Sequence, residues 1–204
     1  METMANISAE QVKALRDKTG AGMMECKAAL TEANGNAEEA MTLLRKRGLA
    51  QAAKRAGRAT AQGTITSYIH MGGKIGVLVE VNCESDFVAR TDDFTNLGKE
   101  VAMHIAAANP RWVRRDEVPA DEVEKEKSIY RGQMEKENKP ANVMEKIIEG
   151  KLGSFYSQFV LLDQPFIRDD KVTIGQLVAQ ASAKTGENIQ VSRFVRFRVG
   201  ETSE

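Results

Sequence analysis

In Thr64-Ile65-Thr66-Ser67-Tyr68-Ile69-His70-Met71-Gly72-Gly73-Lys74-Ile75-Gly76-Val77-Leu78-Val79-Glu80-Val81-Asn82-Cys83 the side-chain period is two. Ile65, Ser67 and Ile69 alternate with Thr64, Thr66, Tyr68 and His70, Met71 to Lys74 supply a glycine turn, and Ile75, Val77, Val79, Val81 and Cys83 share one face of the strand that follows. Alternation broken by a glycine turn predicts a β-hairpin, because successive strand side chains point to opposite faces. The sequence on either side has the period of helices, which places the chain in the α+β class.

Upstream, the first 55 residues predict a three-helix bundle. Ser8 is an N-cap with Gln11 three residues on, the spacing of a capping box. Val12 and Leu15 give the first helix its apolar edge, and Thr19-Gly20-Ala21-Gly22 stops it, since glycine readily takes the left-handed stop conformation. A second helix runs from about Met23 to Ala33 and ends at Asn34-Gly35-Asn36. Ala37, Ala40, Met41 and Leu44 then form one stripe of a third. Such a bundle is near the lower size limit for independent stability. Residues 45–58 change character: Arg45, Lys46, Arg47, Lys54, Arg55 and Arg58 come with no acid among them. Their alanines favour a solvated helical connector, and contact with RNA or an acidic surface is the other reading.

Downstream, Phe94 to Ala108 returns to a helical pattern that Asn109-Pro110 ends. A highly charged helix, roughly Ala120 to Lys136, carries Val123, Tyr130 and Met134 as sparse apolar positions. After Glu137-Asn138-Lys139-Pro140, a second carries Met144, Ile148, Leu152, Phe155, Phe159 and Leu162 at near-heptad spacing. The short connection predicts an antiparallel, coiled-coil-like helical hairpin, and its polar faces predict that it projects. Gly150 and Gly153 each cost about 1 kcal/mol there relative to alanine, which close helix approach or a bend would explain. A helix near Thr173–Lys184, a Gly186-Glu187-Asn188 turn and a strand over Ile189–Val199 complete the chain. The resulting division is 1–55 helical bundle, 56–115 core module with the strand hairpin, 116–163 helical hairpin, and 164–204 core completion. Phe194 and Phe197 fall on opposite faces of the last strand, with Arg193, Arg196 and Arg198 between them. One face on the core with extended arginine stems is the plainer reading; stacking and phosphate contact with nucleic acid is the other.

Composition narrows the function. Over 204 residues, 42% are hydrophobic and 28% charged, as in globular chains, and 29 Lys+Arg balance 29 Asp+Glu. A zero net charge argues against a dedicated nucleic-acid binder. No run approaches the roughly 18 apolar residues of a membrane span, and Met1 to Glu10 has no signal-peptide pattern. Cys26 and Cys83 are unclustered, which suggests reduced thiols in a cytosolic setting. There is no phosphate-binding G-x-x-x-x-G-K-[ST] loop, Gly20-Ala21-Gly22 follows no strand, and no G-x-S-x-G elbow occurs. His70 and His104 lack the neighbours of a zinc site. The expectation is a cytoplasmic protein that is not an enzyme, with no cofactor and no bound metal.

One segment remains. Cys83-Glu84-Ser85-Asp86-Phe87-Val88-Ala89-Arg90 sets a carboxylate and a large aromatic side by side at a strand end, where loops often carry function. Read alone, Phe87 suits a core position and Asp86 a turn or capping acid.

Longer motifs add to this. Lys18-Thr19-Gly20-Ala21-Gly22-Met23-Met24-Glu25-Cys26-Lys27-Ala28-Ala29-Leu30 resembles the N-terminal signature of the elongation factor Ts family. So does Val79-Glu80-Val81-Asn82-Cys83-Glu84-Ser85-Asp86-Phe87-Val88-Ala89, where Ser85 replaces the usual threonine and keeps its hydroxyl. Gln164-Pro165-Phe166, preceded by Asp163 where some members have glycine, and Arg193-Phe194-Val195-Arg196-Phe197-Arg198-Val199-Gly200 are similar too. The resemblance implies a guanine-nucleotide exchange factor for elongation factor Tu in its GDP-bound form, beginning with a ubiquitin-associated-like three-helix domain. It implies that Arg16, Met23 and Met24 dock on the nucleotide-binding domain of Tu, although one methionine could instead fill the small bundle core. It implies that Ser85, Asp86, Phe87 and Val88 dislodge Mg2+ from Tu and that His70 presses near the phosphate-binding loop. A single strand-hairpin module resembles the short form of the family and implies a homodimer, with no direct nucleic-acid partner. The alternative is an RNA- or ribosome-associated protein using residues 45–58.

Overall fold

The computed structural model describes residues 7–134 and 140–201. Its chain divides into two compact units. One gathers the described residues of Met1–Gly63 with Asn82–Phe94 and Val178–Gln190; the other holds Thr64–Val81, Thr95–Leu177 and the described residues from Val191 on.

In the first unit, α1 (Ala9–Thr19), α2 (Met23–Glu32) and α3 (Ala37–Arg55) form the expected bundle. The capping box is present: Gln11 N–H donates to Ser8 Oγ at 3.2 Å and Ser8 N–H to Gln11 Oε1 at 2.9 Å. Gly20 ends α1 at φ 68°, its N–H donating to Arg16 O at 2.7 Å. Val12, Leu15, Cys26, Ala29, Leu30, Ala33, Ala40 and Leu44 make the core. The basic segment is the continuation of α3 as far as Arg55, and its cations include several engaged within the unit. Arg47 pairs with Glu32, Arg55 donates to Ser182 O at 3.3 Å, and Arg58 pairs with Glu84 at 3.3 Å.

The second unit is built on a three-stranded sheet in the order β1 (Gln62–Ile69), β2 (Ile75–Cys83), β5 (Gln190–Arg198). Val199 N–H donates to Lys74 O at 2.9 Å and Arg193 pairs with Glu80 at 2.7 Å, so β5 runs antiparallel to β2. Val77, Val79 and Val81 are fully buried on one face. On β1, however, Thr64, Thr66 and Tyr68 are the half-buried residues, while Ile65 and Ile69 are each 67% exposed. Helix α5 (Asp92–Ala108) decides which face turns inward, because a methyl on its Gly98 would stand 2.5 Å from Thr66 Oγ1. So close an approach admits a threonine opposite a glycine and leaves no room for isoleucine.

Helices α6 (Ala120–Met134) and α7 (Ala141–Phe159) form the helical hairpin around Met134, Ile148 and Leu152, with Val123, Tyr130, Met144 and Tyr156 packed on them. Residues 135–139, which include most of the turn read between the helices, lie outside those described. The seam ends at Phe159. Leu162 falls in a 3-10 turn (Leu161–Asp163), because the chain leaves the helix at Val160 to bridge Trp112. Beyond it comes a small antiparallel pair absent from the sequence reading, β3 (Pro165–Phe166) and β4 (Asp169–Thr173). Helix α8 (Ile174–Thr185) follows, with Thr173 and Gln176 capping each other at 3.2 Å. A buried polar pair ties α5 to the 3-10 turn. His104 Nε2 lies 2.9 Å from Gln164 Oε1, while Gln164 Nε2 donates to Gln158 O at 2.7 Å. Burial holds the His104 imidazole below its ordinary pKa, against the opposing effect of the Gln164 bond. Among the described residues no helix is long and apolar enough to cross a membrane.

Close helix approach does not account for Gly150 and Gly153, since a methyl at either would meet no atom within 4 Å. Gly150→Ala and Gly153→Ala are each expected to raise stability by about 1 kcal/mol in urea denaturation. Gly175 in α8 should respond with the opposite sign. Its methyl would stand 2.8 Å from the Leu162 carbonyl oxygen, so Gly175→Ala is expected to cost about 1–3 kcal/mol.

Candidate partner-binding site

Strand β2 delivers Cys83 to a one-turn helix, α4 (Asp86–Ala89), whose N-cap is Ser85. Ser85 Oγ accepts from Val88 N–H at 3.4 Å, and Thr91 Oγ1 donates to Val88 O at 2.8 Å. The turn directs Ala89 inward, leaves Val88 half-buried, and leaves Phe87 83% exposed. Phe87 is therefore a surface residue and not the core residue that its local sequence suggests. Asp86, half-buried in the first turn, pairs with Arg90 at 2.9 Å.

Behind this turn lies the Gly186-Glu187-Asn188 corner. Glu187 Oε2 accepts from the N–H groups of Glu84 at 3.1 Å and Ser85 at 3.0 Å, and Oε1 accepts from Ser85 Oγ at 2.5 Å. Glu84 in turn accepts from Asn188 N–H at 2.6 Å and from Arg58. The Asn188 N–H bond, followed by the Arg58 charge, holds the Glu84 carboxyl below its ordinary pKa. Asn188 Nδ2 donates to the carbonyls of Ala56 and Arg58 at 3.3 and 2.8 Å. Cys83 Sγ donates to Ser85 O at 3.1 Å, and burial, with the Glu187 charge second, pushes its thiol pKa up. A protonated buried thiol is a poor nucleophile. Glu187 and Asn188 carry no sequence signal beyond that of a turn, and Glu84 stands in the longer motif with no role of its own assigned to it.

In the same unit, Arg16, Met23 and Met24 line one groove of about 550 Å³ with Ile7, Val12 and Lys27. Met23 and Met24 are 50% and 76% exposed, so neither fills the bundle core. The Gly22 turn starts α2 with both on its outer first turn. A flexible thioether adapts to a partner's contour, which suits methionine to such a surface.

His70, in the second unit, is exposed at the end of β1. Its N–H donates to Ile75 O at 2.9 Å, and its Nδ1 lies 3.1 Å from Tyr68 Oη. It borders a cleft of about 450 Å³ shared with Met103, Ile167, Arg196 and Arg198. The structure thus brings Arg16, Met23 and Met24 together and holds Ser85 to Val88 in one turn, with His70 on a separate cleft. The outer face of the sheet adds a feature not anticipated: Ile65, Ile69, Leu78, Val195, Phe197 and Val199 are exposed, at 40–72%. Apolar exposure on all three strands of one sheet is a feature that interaction surfaces share.

A sequence model described as elongation factor TS matches residues 1–201. The elongation factor Ts of Fervidobacterium nodosum is 65% identical over 195 residues, covering 96% of this chain and 99% of that protein. The elongation factor Ts of Koribacter versatilis is 59% identical over 98% of this chain and 91% of its own length. That of Thermosipho melanesiensis is 58% identical over 96% of this chain and all of its own. Matched over nearly its whole length by that model and by these relatives, this chain belongs to the elongation factor Ts family.

Proposed function

We propose that this protein is a guanine-nucleotide exchange factor that binds GDP-bound elongation factor Tu in the cytoplasm and speeds release of the nucleotide. The observation that carries the reading is Phe87, a large ring 83% exposed on a turn fixed by hydrogen bonds. A Mg2+ ion demands near-ideal octahedral geometry, so a small displacement of its ligands weakens it sharply. Driving the Phe87 ring between elements of Tu beside the metal supplies that displacement, with Ser85, Asp86 and Val88 shaping the wedge. Arg16, Met23 and Met24 grip the nucleotide-binding domain, and His70 approaches the phosphate-binding loop. No bond is made or broken, so no catalytic group or cofactor is needed. If the factor weakens nucleotide binding to Tu, nucleotide weakens binding of the factor equally, and exchange follows from that coupling.

The exposed face of the β1-β2-β5 sheet supports a homodimer, in which a second copy covers Leu78 and Phe197. An RNA-binding role for residues 45–58 has less support, since Arg47, Arg55 and Arg58 are committed to partners within the chain.

The test is release of fluorescent GDP from Tu on adding this protein. Acceleration on the order of a thousandfold is expected, about 4 kcal/mol of barrier. An unchanged rate at saturating protein would remove the exchange reading.

A further inference from the structure

The geometry assigns to Glu187 the role of positioning residue for the Phe87 turn; the assignment rests on the exchange reading and deepens it. A wedge displaces a metal ligand only if it is stiffer than what it pushes. Phe87 sits on a single helical turn of four residues, and so short a helix has almost no cohesion of its own. Stiffness must come from outside the turn, and the Glu187 carboxylate supplies it from about 100 residues away in sequence. One oxygen takes both successive backbone N–H groups, of Glu84 and Ser85, and the other takes the Ser85 hydroxyl. That same hydroxyl oxygen caps Val88 N–H, so the carboxylate fixes the cap that fixes the turn. Bonds to an ionised acceptor are about twice as strong as neutral ones.

Glu187 is itself held in place. Gly186 turns the chain at φ 78°, a conformation that disfavours other residues, and its N–H donates to Ser182 O at 3.0 Å. Glu187 O accepts from Ser182 Oγ at 2.5 Å, and the next residue, Asn188, is 3% exposed with its side chain on Ala56 and Arg58. The brace is therefore anchored to two buried residues, Ser182 and Asn188, and not left on a free loop. Glu187 acts only through the turn.

Three measurements on the full chain test this. The first is amide hydrogen exchange in the free protein. Glu187→Ala should lower protection of the Glu84 and Ser85 amides at least about tenfold, with bundle amides unchanged. The second is GDP release from Tu. The maximal rate should fall at least about tenfold, while the half-saturating concentration of factor moves less than about twofold. Glu187→Gln, which keeps one acceptor oxygen in place, should recover part of both losses. The third repeats the comparison in a Phe87→Ala background, where Glu187→Ala should change the rate no further. Unchanged amide protection overturns the brace. A rate loss that multiplies with Phe87→Ala, or a raised half-saturating concentration at equal rate, overturns its action through Phe87. If Phe87→Ala alone leaves release unaltered, Phe87 itself drops out of the mechanism, and amide protection still decides whether Glu187 braces the turn; if wild-type protein does not speed release at all, the exchange reading fails instead.

Discussion

Phe87→Ala is expected to slow Tu-bound GDP release at saturating protein by at least about tenfold, about 1.4 kcal/mol of barrier, and to leave the fold intact. Both halves of that expectation follow from where the ring stands. A buried phenylalanine truncated to alanine costs about 3–5 kcal/mol, but a surface change is usually within about 0.5 kcal/mol. At 83% exposure Phe87 belongs to the second group. Its neighbours keep their own bonds, Ser85 with Glu187 and Val88 with Ser85, and alanine is the best residue for the helical turn. The variant should therefore match the wild type in circular dichroism and in urea midpoint. It should also bind Tu, because Arg16, Met23 and Met24 are untouched in their groove. Under the proposed mechanism, what it loses is the volume pushed toward the metal. Stopped-flow release at saturating factor isolates that loss, and equal rates for variant and wild type would take Phe87 out of the mechanism.

How much of this was legible from the residues alone depended on the range of the interactions. The capping box of Ser8 and Gln11, the Gly20 stop and the two-residue period of Ile75 to Cys83 are local, and each is found where its chemistry places it. Leu162 continues the α7 spacing in sequence yet leaves the helix, because Val160 pairs with Trp112 far back in the chain. Ile65 and Ile69 have the right period but face outward. That choice is made by the approach of Gly98 to Thr66, and alternation fixes the two faces of a strand without saying which is inside. Phe87 is the same problem on a helical turn. The motif names it, but only the orientation of the Ser85 cap exposes it. Glu187 had no signal at all: an acid in a glycine-asparagine corner is commonplace, and its partners lie 102 and 103 residues away.

The outward isoleucines lead to the other large effect. Leu78 on the central strand and Phe197 on its neighbour β5 are 46% and 63% exposed, with Ile65 and Ile69 flanking them on β1. If a second copy covers this face about a two-fold axis, every substitution enters the interface twice. Phe197→Glu then places two unpaired carboxylates in an apolar contact and removes two aromatic rings from it. Leaving one charge buried without its partner costs about 3–5 kcal/mol, so the dimer should weaken by at least about a thousandfold and run as a monomer at micromolar concentration in sedimentation. The protomer should stay folded, because Phe197 is 63% exposed and lies outside its own core. Leu78→Glu, on the next strand, should act the same way. GDP release should slow in both variants if two hairpin modules make one platform for Tu, each protomer serving one Tu. Wild-type protein that sediments as a monomer at that concentration would leave the apolar sheet face without its proposed cover. A dimer untouched by either glutamate would place the contact elsewhere on the chain.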